Sequence, residues 1–219
     1  MKKILSLSLA AILMLCAALP AMAQEDYSIA NILYQRTTLH GDASPYDTAP
    51  LDDDIVSLLL SAGFSAPTGG NQRSLNFFVI TERERMDKIR EGHPYSTPLL
   101  TAPLVVVIAG DEANCRYPEL HEMDAGLAAM AMMVQATEIG LSSCVMSIYP
   151  QDERVNAVRA SVDMPETFKP VLMVAFGYPA ADVVAGASVD NYNEAQVHMN
   201  GYEGSFDVEA VSSPTAVVE

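Results

Sequence analysis

The chain has 219 residues, and its 12 basic and 28 acidic side chains give a formal net charge of −16 at neutral pH. Because such an acidic surface repels nucleic acid and anionic lipid, we expect neither nucleic acid nor a membrane among the partners of this protein. An anionic ligand would need positive groups placed locally around it.

Residues 1–23 have the pattern of a cleaved signal peptide. Two lysines begin it, residues 4–19 are apolar, and the sequence ALPAMAQ offers a cleavage site after Ala23. The apolar run is too short and too poorly flanked for a stable transmembrane span. A lipoprotein anchor at Cys16 is the competing interpretation, which the bulky Leu15 disfavours. We therefore expect an exported protein, located in the periplasm.

Cleavage would leave residues 24–219 as one domain of 196 residues, with 10 basic and 28 acidic side chains and a net charge of −18. This length suffices for one domain with a sizeable core. Residues from about 180 to 219 are weakly patterned and predict an extended arm that becomes ordered by lying on something else. Two cysteines remain, Cys115 and Cys144. Their spacing fits neither a zinc site nor a disulfide framework. In an exported protein the two could pair, and we expect two buried or isolated thiols.

The first half of the chain predicts helix, helix, strand and helix. The sequence YSIANILYQR forms the first helix. After a loop rich in Gly, Asp and Pro, a second helix begins at a cap formed by Asp52 or Asp53 and ends near Gly63. Its predicted inward side chains are Ile55, Leu58, Leu59 and Ala62. NFFVI then predicts a strand, and ERERMDKIREG predicts an exposed amphipathic helix.

The second half alternates strands and helices. PLVVVIAG is an unbroken apolar run and predicts a central strand buried on both faces. The longest predicted helix covers residues 124–141 and is apolar nearly all round, which places it in the core or at a subunit interface. Its two apolar sides are Met123, Leu127, Met130 and Val134, and Ala128, Met132, Ala136 and Ile139. CVMSI and PVLMVAFGYP predict two further strands, separated by an amphipathic helix over DERVNAVRASV.

Several common catalytic patterns are absent from the sequence. No G-x-G-x-x-G follows a strand, and no G-x-x-x-x-G-K-[ST] or G-x-S-x-G occurs, which argues against a Rossmann site, a P-loop and a serine hydrolase. The four histidines are scattered without ligand spacing. His121, Glu122 and Asp124 lie close together, but such neighbours do not share one helix face, so a helix-cap role is favoured over a metal site. We predict no metal site and no hydrolytic centre.

The stretch SAPTGGNQRSLNFFVI, residues 65–80, has two interpretations. Gly69 and Gly70 permit backbone conformations closed to other residues and leave room for a flat ligand, with Thr68 and Asn71 at the mouth. The alternative is an ordinary helix end and turn, in which Asn71 bonds its own backbone. Composition alone favours the turn.

Four segments together resemble the nitroreductase family of flavin oxidoreductases. APTGGNQRSLNFFVI is similar to the family's flavin-contacting loop, A-P-S-x-x-N-x-Q-P-W-x-F, and QRTTLH is similar to its phosphate-binding segment, R-R-S-x-R. DAGLAAMAMMVQATEIGLSSC is similar to the family's central helix, and FKPVLMVAFGYP to the strand that ends in G-Y-P. The four segments occur in the family's order and span most of the chain from Ile29 to Pro179.

The resemblance implies an α+β fold, a three-layer sandwich whose central, mainly antiparallel sheet is flanked by helices. It also implies an intertwined homodimer with FMN at the subunit interface, so that the arm and the apolar helix would pack on the partner. Carried over position by position, the expected FMN-binding residues are Arg36, Thr38, His40, Pro67, Thr68, Gly69, Asn71, Arg73, Val145, Met146 and Ser147. A backbone N–H near Ser147 would point at the flavin N5.

The implied activity is two-electron, ping-pong hydride transfer, in which the flavin carries the chemistry and no protein nucleophile or strict acid or base is needed. The acceptor would be a small molecule such as a nitroaromatic or a quinone, and NAD(P)H would be the family's usual donor. Because NAD(P)H is a cytosolic reductant, an exported enzyme has little access to it. The sequence therefore supports an FMN-dependent oxidoreductase ahead of an NAD(P)H-dependent one.

The chain departs from the family pattern in two places. The family's Q-P-W is Arg73-Ser74-Leu75, which puts a cation beside the expected flavin. The sequence AADVVAGASVDNYNEAQ after G-Y-P offers no Lys or Arg for the phosphate, which leaves Arg36, with help from His40 when it is protonated. FMN retention should then improve below about pH 6.5. This thinner set of cations keeps two alternatives open, a non-catalytic flavin- or ligand-binding protein and a structural dimer without flavin.

Overall fold

The computed structural model describes residues 29–40, 45–181, 183, 193–198 and 200–203. The predicted signal peptide and most of the predicted arm lie outside these residues and stay predictions. The described helices are α1 (Ile29–Gln35), α2 (Asp53–Ser65), α3 (Arg83–Gly92), α4 (His121–Glu138) and α5 (Asp152–Val162). The described strands are β1 (Leu75–Ile80), β2 (Leu104–Asp111), β3 (Ser142–Ser147) and β4 (Phe168–Gly177).

The four strands form one antiparallel sheet in the order β1-β2-β4-β3. β2 and β4 are therefore central, and β1 and β3 are the edges. β2 is buried throughout residues 104–110, which confirms the prediction of a central strand over PLVVVIAG. One row of paired residues crosses the whole sheet, in the order Phe77, Ile108, Leu172 and Ser147.

Helices cover both faces of the sheet. Because side chains alternate along a strand, Val106 and Ile108 of β2 point to one face, and Val105 and Val107 point to the other. The first pair packs in a hydrophobic cluster under α2 and α4, and the second pair packs in a cluster under α3 and α5. The result is the three-layer α+β sandwich that the sequence predicted.

α2 begins where the sequence predicted, but it differs from its prediction in how it is capped, at its C-terminal end and on one face. Asp52 occupies the N-cap position, but its side chain makes no capping hydrogen bond, and the helix continues past Gly63 to Ser65. Leu58, predicted to face inward, is 41% exposed, whereas Leu59 is fully buried. The inward prediction for Leu58 was therefore wrong, because the buried stripe of α2 is narrower than its apolar stripe.

α4 begins at His121, earlier than the predicted 124–141, because a short 3-10 helix over Pro118–Leu120 runs directly into it. Its two apolar sides have different surroundings. Ala128, Met132 and Ala136 are fully buried in the core. The outer stripe of α4, defined by Met123, Leu127 and Met130, is 52%, 41% and 37% exposed in the protomer. No helix within the described parts of the chain has the length and apolar character needed to cross a bilayer.

Candidate functional site

The loop between α2 and β1 has an unusual backbone. Gly70, Asn71 and Arg73 lie in the left-handed region, with φ of 61°, 54° and 52°. Only glycine adopts this region without penalty, and a Cβ at Gly70 would also lie 3.0 Å from the ring of Tyr117. An asparagine is tolerated there, but an arginine is strained. Such strain persists where the surroundings hold the backbone in place, and it clusters at ligand sites.

The loop is held from below by the first turn of α4. The N–H of Gly69 donates to Oδ1 of Asp124 at 2.8 Å, and Asp124 is only 2% exposed. Within the loop, the Thr68 carbonyl accepts from the N–H of Asn71, and the Thr68 hydroxyl accepts from the N–H of Arg73 at 3.1 Å. The expected flavin-loop residues are therefore brought together in one ordered turn. In the turn interpretation, the side chain of Asn71 was expected to bond its own backbone. In the structure, its side-chain oxygen instead accepts a hydrogen bond from Nε of Arg73 at 3.3 Å.

Gln72 is a loop residue that the sequence did not single out. Its side-chain oxygen accepts from the N–H groups of Arg116 and Tyr117, the latter at 3.1 Å, and its side-chain nitrogen donates to the Gly69 carbonyl at 3.2 Å. Gln72 thus ties the loop to the segment before α4. Arg116 and Tyr117 are 44 and 45 positions away from Gln72, so no local pattern could have revealed this role.

A buried polar group lies directly under the loop. The Ser74 hydroxyl is 2.9 Å from Nε2 of His121 and 3.3 Å from Sγ of Cys115. His121 is fully buried against β2, where Gly110 leaves room for its ring. Burial, followed by the nearby charge of Lys169, lowers the pKa of His121 below its ordinary value, so its imidazole is held neutral.

The interpretation of residues 121–124 as a helix cap was wrong. The N-cap position of α4 is Leu120, and none of the three polar side chains caps the helix. His121 bonds Ser74, Asp124 holds the loop, and Glu122 pairs with Lys169 at 2.8 Å. Among the described residues, no group of three His, Cys, Asp or Glu side chains is arranged to hold a metal ion.

Both described cysteines are free thiols, as predicted. Cys144 is buried within β3, and this burial raises the pKa of its thiol to about 11. Cys115 is half-buried, where its thiol donates weakly to the side-chain oxygen of Gln72 at 3.5 Å.

A second group of expected site residues lies along β3. The N–H of Leu39 donates to the carbonyl of Ser143 at 3.3 Å, and Thr38 forms an isolated parallel bridge with the same residue. The segment QRTTLH therefore runs beside the start of β3. Nη1 of Arg36 donates to the Thr38 hydroxyl at 3.3 Å, which places two phosphate-type donors together, and His40 is exposed at the end of the segment.

Beyond the bridge to Thr38, no strand among the described residues pairs with the outer edge of β3. Because Ser143 presents its carbonyl to Leu39, the alternation along the strand also points the N–H groups of Val145 and Ser147 away from β4. The side chains of Val145 and Ser147 are exposed, whereas Met146 is 4% exposed and packs in the core. Met146 can therefore contribute only its backbone to a site. The Ser147 carbonyl is already bonded by His93 and Arg154, which the sequence did not predict.

The structure does not bring these two groups together within one protomer. The loop precedes β1 at one edge of the sheet, and Ser147 ends β3 at the other edge. Three strand spacings of roughly 4.8 Å separate Phe77 from Ser147 in the row that crosses the sheet, a distance of about 14 Å. We call the residues from Pro67 to Arg73 the loop half-site, and Arg36, Thr38, His40 and the outer edge of β3 the strand half-site.

Two apolar surfaces adjoin these half-sites. Beside the loop, a cavity of about 140 Å³ is lined by Phe64, Phe77 and Leu75, with Thr68 and Arg73 at its polar end. Phe64 is 67% exposed and meets Phe77 edge to face at 4.6 Å between ring centres. Leu127 and Met130 of the outer stripe of α4 line a larger groove of about 430 Å³ between α1, α2 and α4. Both surfaces are of the kind that a second protein copy or an aromatic ligand covers.

The sequence profile of the Nitroreductase family matches residues 93–178. This range includes β2, α4, β3, α5 and β4, and so covers the outer edge of β3 but not the loop half-site. A protein of Methanothermobacter thermautotrophicus, provisionally named NADH dehydrogenase/NAD(P)H nitroreductase, is 27% identical over 135 residues, which make up 62% of this chain and 71% of that protein.

Solved structures share the fold over most of the chain. A protein of Bacteroides thetaiotaomicron with the same provisional name superposes with a TM-score of 0.72 at 27% identity, covering 80% of this chain and 98% of that one. An FMN-dependent nitroreductase from Clostridium difficile superposes with a TM-score of 0.70 at 22% identity, covering 80% of this chain and 99% of that one. The predicted fold is therefore confirmed.

Proposed function

Since the chain belongs to the nitroreductase family, we propose that it is an FMN-dependent oxidoreductase that acts as a homodimer. In this proposal FMN binds where the loop half-site of one copy meets the strand half-site of its partner. Small acceptors such as nitroaromatics or quinones take up the electrons, and NAD(P)H is one candidate donor. The names of the relatives support the oxidoreductase class.

The observation that carries the proposal is the separation of the two half-sites. Each is an ordered set of ligand-type groups, yet in one protomer they lie at opposite edges of the sheet. A second copy docked on the outer stripe of α4 would bury exposed apolar side chains, which favours association. If a partner completes the site, it is clear why each half-site is ordered and yet holds only part of the groups that a ligand needs.

The described residues fit FMN in their donors and in their shape. Arg36 and Thr38 present a guanidinium and a hydroxyl 3.3 Å apart, a pair suited to a phosphate. The N–H groups at Val145 and Ser147 face outward from β3 without a strand beside them in the described residues. Beside the loop, the apolar cavity lined by Phe64, Leu75 and Phe77 offers a surface that a flat ring can cover.

Bound FMN would supply two-electron hydride transfer. The residues of the chain bind and orient it. Arg36 and Thr38 would hold the phosphate, the loop half-site would contact the ring, and the Ser147 N–H would donate to the ring edge. Arg73 would place a positive charge beside an acidic acceptor or the reduced ring.

The test uses the mature chain, purified and reconstituted with FMN under anaerobic conditions. We expect the protein to retain FMN, seen as a flavin spectrum, and NADH, NADPH or dithionite to bleach that spectrum. A quinone or a nitroaromatic should then reoxidise the bound flavin faster than it reoxidises free FMN at the same concentration. Reoxidation no faster than that of free FMN would reject the enzyme and leave a flavin-binding protein. A colourless protein after reconstitution would reject both.

One observation keeps a non-catalytic flavin-binding protein as the second candidate. After Lys169 the sequence contains no Lys or Arg, so the family's usual phosphate contacts after G-Y-P are missing. FMN held only by Arg36 and neutral donors should bind more weakly. A protein that retains FMN and fails to turn over with every donor would support this alternative.

We also propose that the protein is exported after cleavage at Ala23, which rests on the pattern of residues 1–23. Expression of the full chain in a Gram-negative host, followed by fractionation and mass spectrometry, tests this. We expect periplasmic protein that begins at Gln24. Cytoplasmic protein that retains Met1 would contradict it.

A further inference from the structure

Ser147, the last residue of β3, is held by two helices at once. Its carbonyl accepts a hydrogen bond from Nε2 of His93 at 2.8 Å and another from Nη1 of Arg154 at 3.1 Å. The same Arg154 nitrogen donates to the Ser147 hydroxyl at 3.0 Å. His93 directly follows α3, and Arg154 is in the first turn of α5. We call His93, Arg154 and Ser147 the Ser147 clamp.

Packing in the core does not by itself explain why residue 93 is a histidine. It is 2% exposed, and its Nδ1 has no hydrogen-bond partner among the described residues. A carbonyl oxygen only accepts, so Nε2 carries the proton and Nδ1 is the bare nitrogen. An apolar side chain would avoid this unpaired buried atom. The hydrogen bond to Ser147 is therefore the feature that distinguishes histidine from an apolar residue here.

Arg154 is a cation at the N-terminal end of a helix, where a cation is unfavourable. The first turn of a helix carries partial positive charge, which favours the acidic residues Asp152 and Glu153 and disfavours a cation. The guanidinium reaches back to Ser147 and lies 5.3 Å from the ring centre of Tyr95. Its position is thus set by the edge of β3 and an aromatic face, rather than by its own helix.

A second arginine on α5 provides an internal comparison. Arg159 donates to the carbonyls of Glu166 and Phe168 at 3.1 and 2.8 Å, and so joins α5 to the start of β4. This bond stabilises a turn inside the fold. Arg154 makes the same kind of bond, but to the outer edge of β3.

The clamp controls the direction of the Ser147 N–H, which faces no other strand in the part of the chain that the structure describes. In a strand the carbonyl and the N–H of one residue point to the same side. A Ser147 carbonyl fixed by two donors therefore keeps the Ser147 N–H aimed outward. Arg154 in addition brings a permanent positive charge to this residue.

We propose that His93 and Arg154 are positioning residues that orient the Ser147 N–H toward bound flavin, and that the charge of Arg154 raises the reduction potential of that flavin. The inference rests on the proposed function. A flavin gains negative charge on reduction, and a nearby fixed cation stabilises the more negative form.

The test compares Arg154→Gln, Arg154→Lys and His93→Gln with the wild type, using Arg159→Gln as the matched control. Three quantities are measured: the FMN dissociation constant, the midpoint potential of the bound flavin, and hydrogen exchange at the end of β3 in the apo protein. We expect Arg154→Gln to weaken FMN binding about tenfold, because the Ser147 N–H is no longer held in the binding direction before FMN arrives, and to lower the potential because the cation is gone.

The other variants separate charge from position. Arg154→Lys keeps the charge, so we expect its potential to stay near that of the wild type while exchange at the end of β3 rises. His93→Gln should raise this exchange and weaken FMN binding with a smaller change in potential. Arg159→Gln should leave the dissociation constant and the potential unchanged, even where it lowers the melting temperature.

Two outcomes would overturn the inference separately from the proposed function. Wild-type affinity and potential in Arg154→Gln and His93→Gln would reject the clamp while FMN binding stands. If Arg154→Gln does not fold, wild-type exchange in both Arg154→Lys and His93→Gln would reject it. A wild-type protein that takes up no FMN would reject the proposed function and this inference with it.

Discussion

At the scale of single residues, the candidate site depends on partners that lie far along the chain. The turn formed by Thr68, Gly69 and Asn71 could be predicted as a candidate flavin loop because the three residues lie within four consecutive positions and resemble a family pattern. Gln72 and Asp124, which hold that loop, could not be, since their hydrogen bonds join residues 45 and 55 positions apart. The same is true of His93 and Arg154 at Ser147, because only the folded sheet brings them to one edge.

Asp124 provides the most direct test of the loop anchor. Replacement of Asp124 by Ala leaves the Gly69 N–H without its acceptor, and we expect a loss of about 1–3 kcal/mol in the free energy of unfolding together with weaker FMN binding. Urea denaturation and FMN titration measure the two effects. The matched control is Glu122→Ala, which removes the half-exposed partner of Lys169 on the same turn and should cost less than Asp124→Ala. Equal losses in the two variants would contradict the anchor.

The two buried histidines predict a pH dependence of stability. Burial is the main cause that lowers the pKa of both His93 and His121 below the ordinary value of 6.5. The unfolded chain then binds more protons than the folded chain as the pH falls through 6.5. The stabilisation is therefore complete above about pH 6.5 and is lost progressively below it.

Melting temperatures at pH 7.5 and 5.5 check this sign. We expect a lower melting temperature at pH 5.5, and a smaller drop in His121→Gln, which cannot be protonated. A melting temperature that rises between pH 7.5 and 5.5 would show that the histidines are stabilised in the charged form, contrary to this account.

At the scale of elements, strands were easier to predict than helix faces. The strand β2 has apolar residues on both faces, and only a central position satisfies such a run. α4 is also apolar all round, but the sequence could not say which side is in the core. The periodicity of a sequence shows which side of a helix is apolar, but it does not show whether the core or another chain packs against that side. Leu58 of α2 is a second example, because it lies on the apolar side and is exposed.

Because β2 and α4 are in close contact at Gly110, one added methyl group there should lower the stability of the fold. A Cβ added at Gly110 would lie 2.2 Å from ring atoms of His121, so we expect Gly110→Ala to destabilise the fold by about 1–3 kcal/mol, as overpacking does. Denaturant unfolding measures the loss. In the double variant Gly110→Ala with His121→Ala, the ring is gone and the added methyl should cost little. Additive losses would show that the two residues do not meet.

At the scale of the whole molecule, the proposed FMN site requires a second copy of the chain. The sequence predicted the dimer only through a family resemblance, since exposure of the outer stripe of α4 is a property of the folded chain. We expect Leu127→Glu, which places a charge on that stripe, to give a monomer that has lost FMN. Light scattering during size-exclusion chromatography measures the mass. The control Asn156→Glu adds the same charge to an exposed position on α5 and should remain dimeric. A dimeric Leu127→Glu that retains FMN would place the interface elsewhere.

In the proposed dimer, each FMN site takes its loop half-site from one copy and its strand half-site from the other. This arrangement can be tested by co-expressing two differently tagged variants, Arg36→Glu in the strand half-site and Gly70→Val in the loop half-site, and purifying the mixed dimer through both tags. Each variant alone should bind no FMN. A mixed dimer assembles one intact site and one doubly altered site, so we predict one FMN per dimer. A mixed dimer without FMN, where the wild-type dimer binds two, would show that both half-sites of each site come from the same chain and would contradict the account.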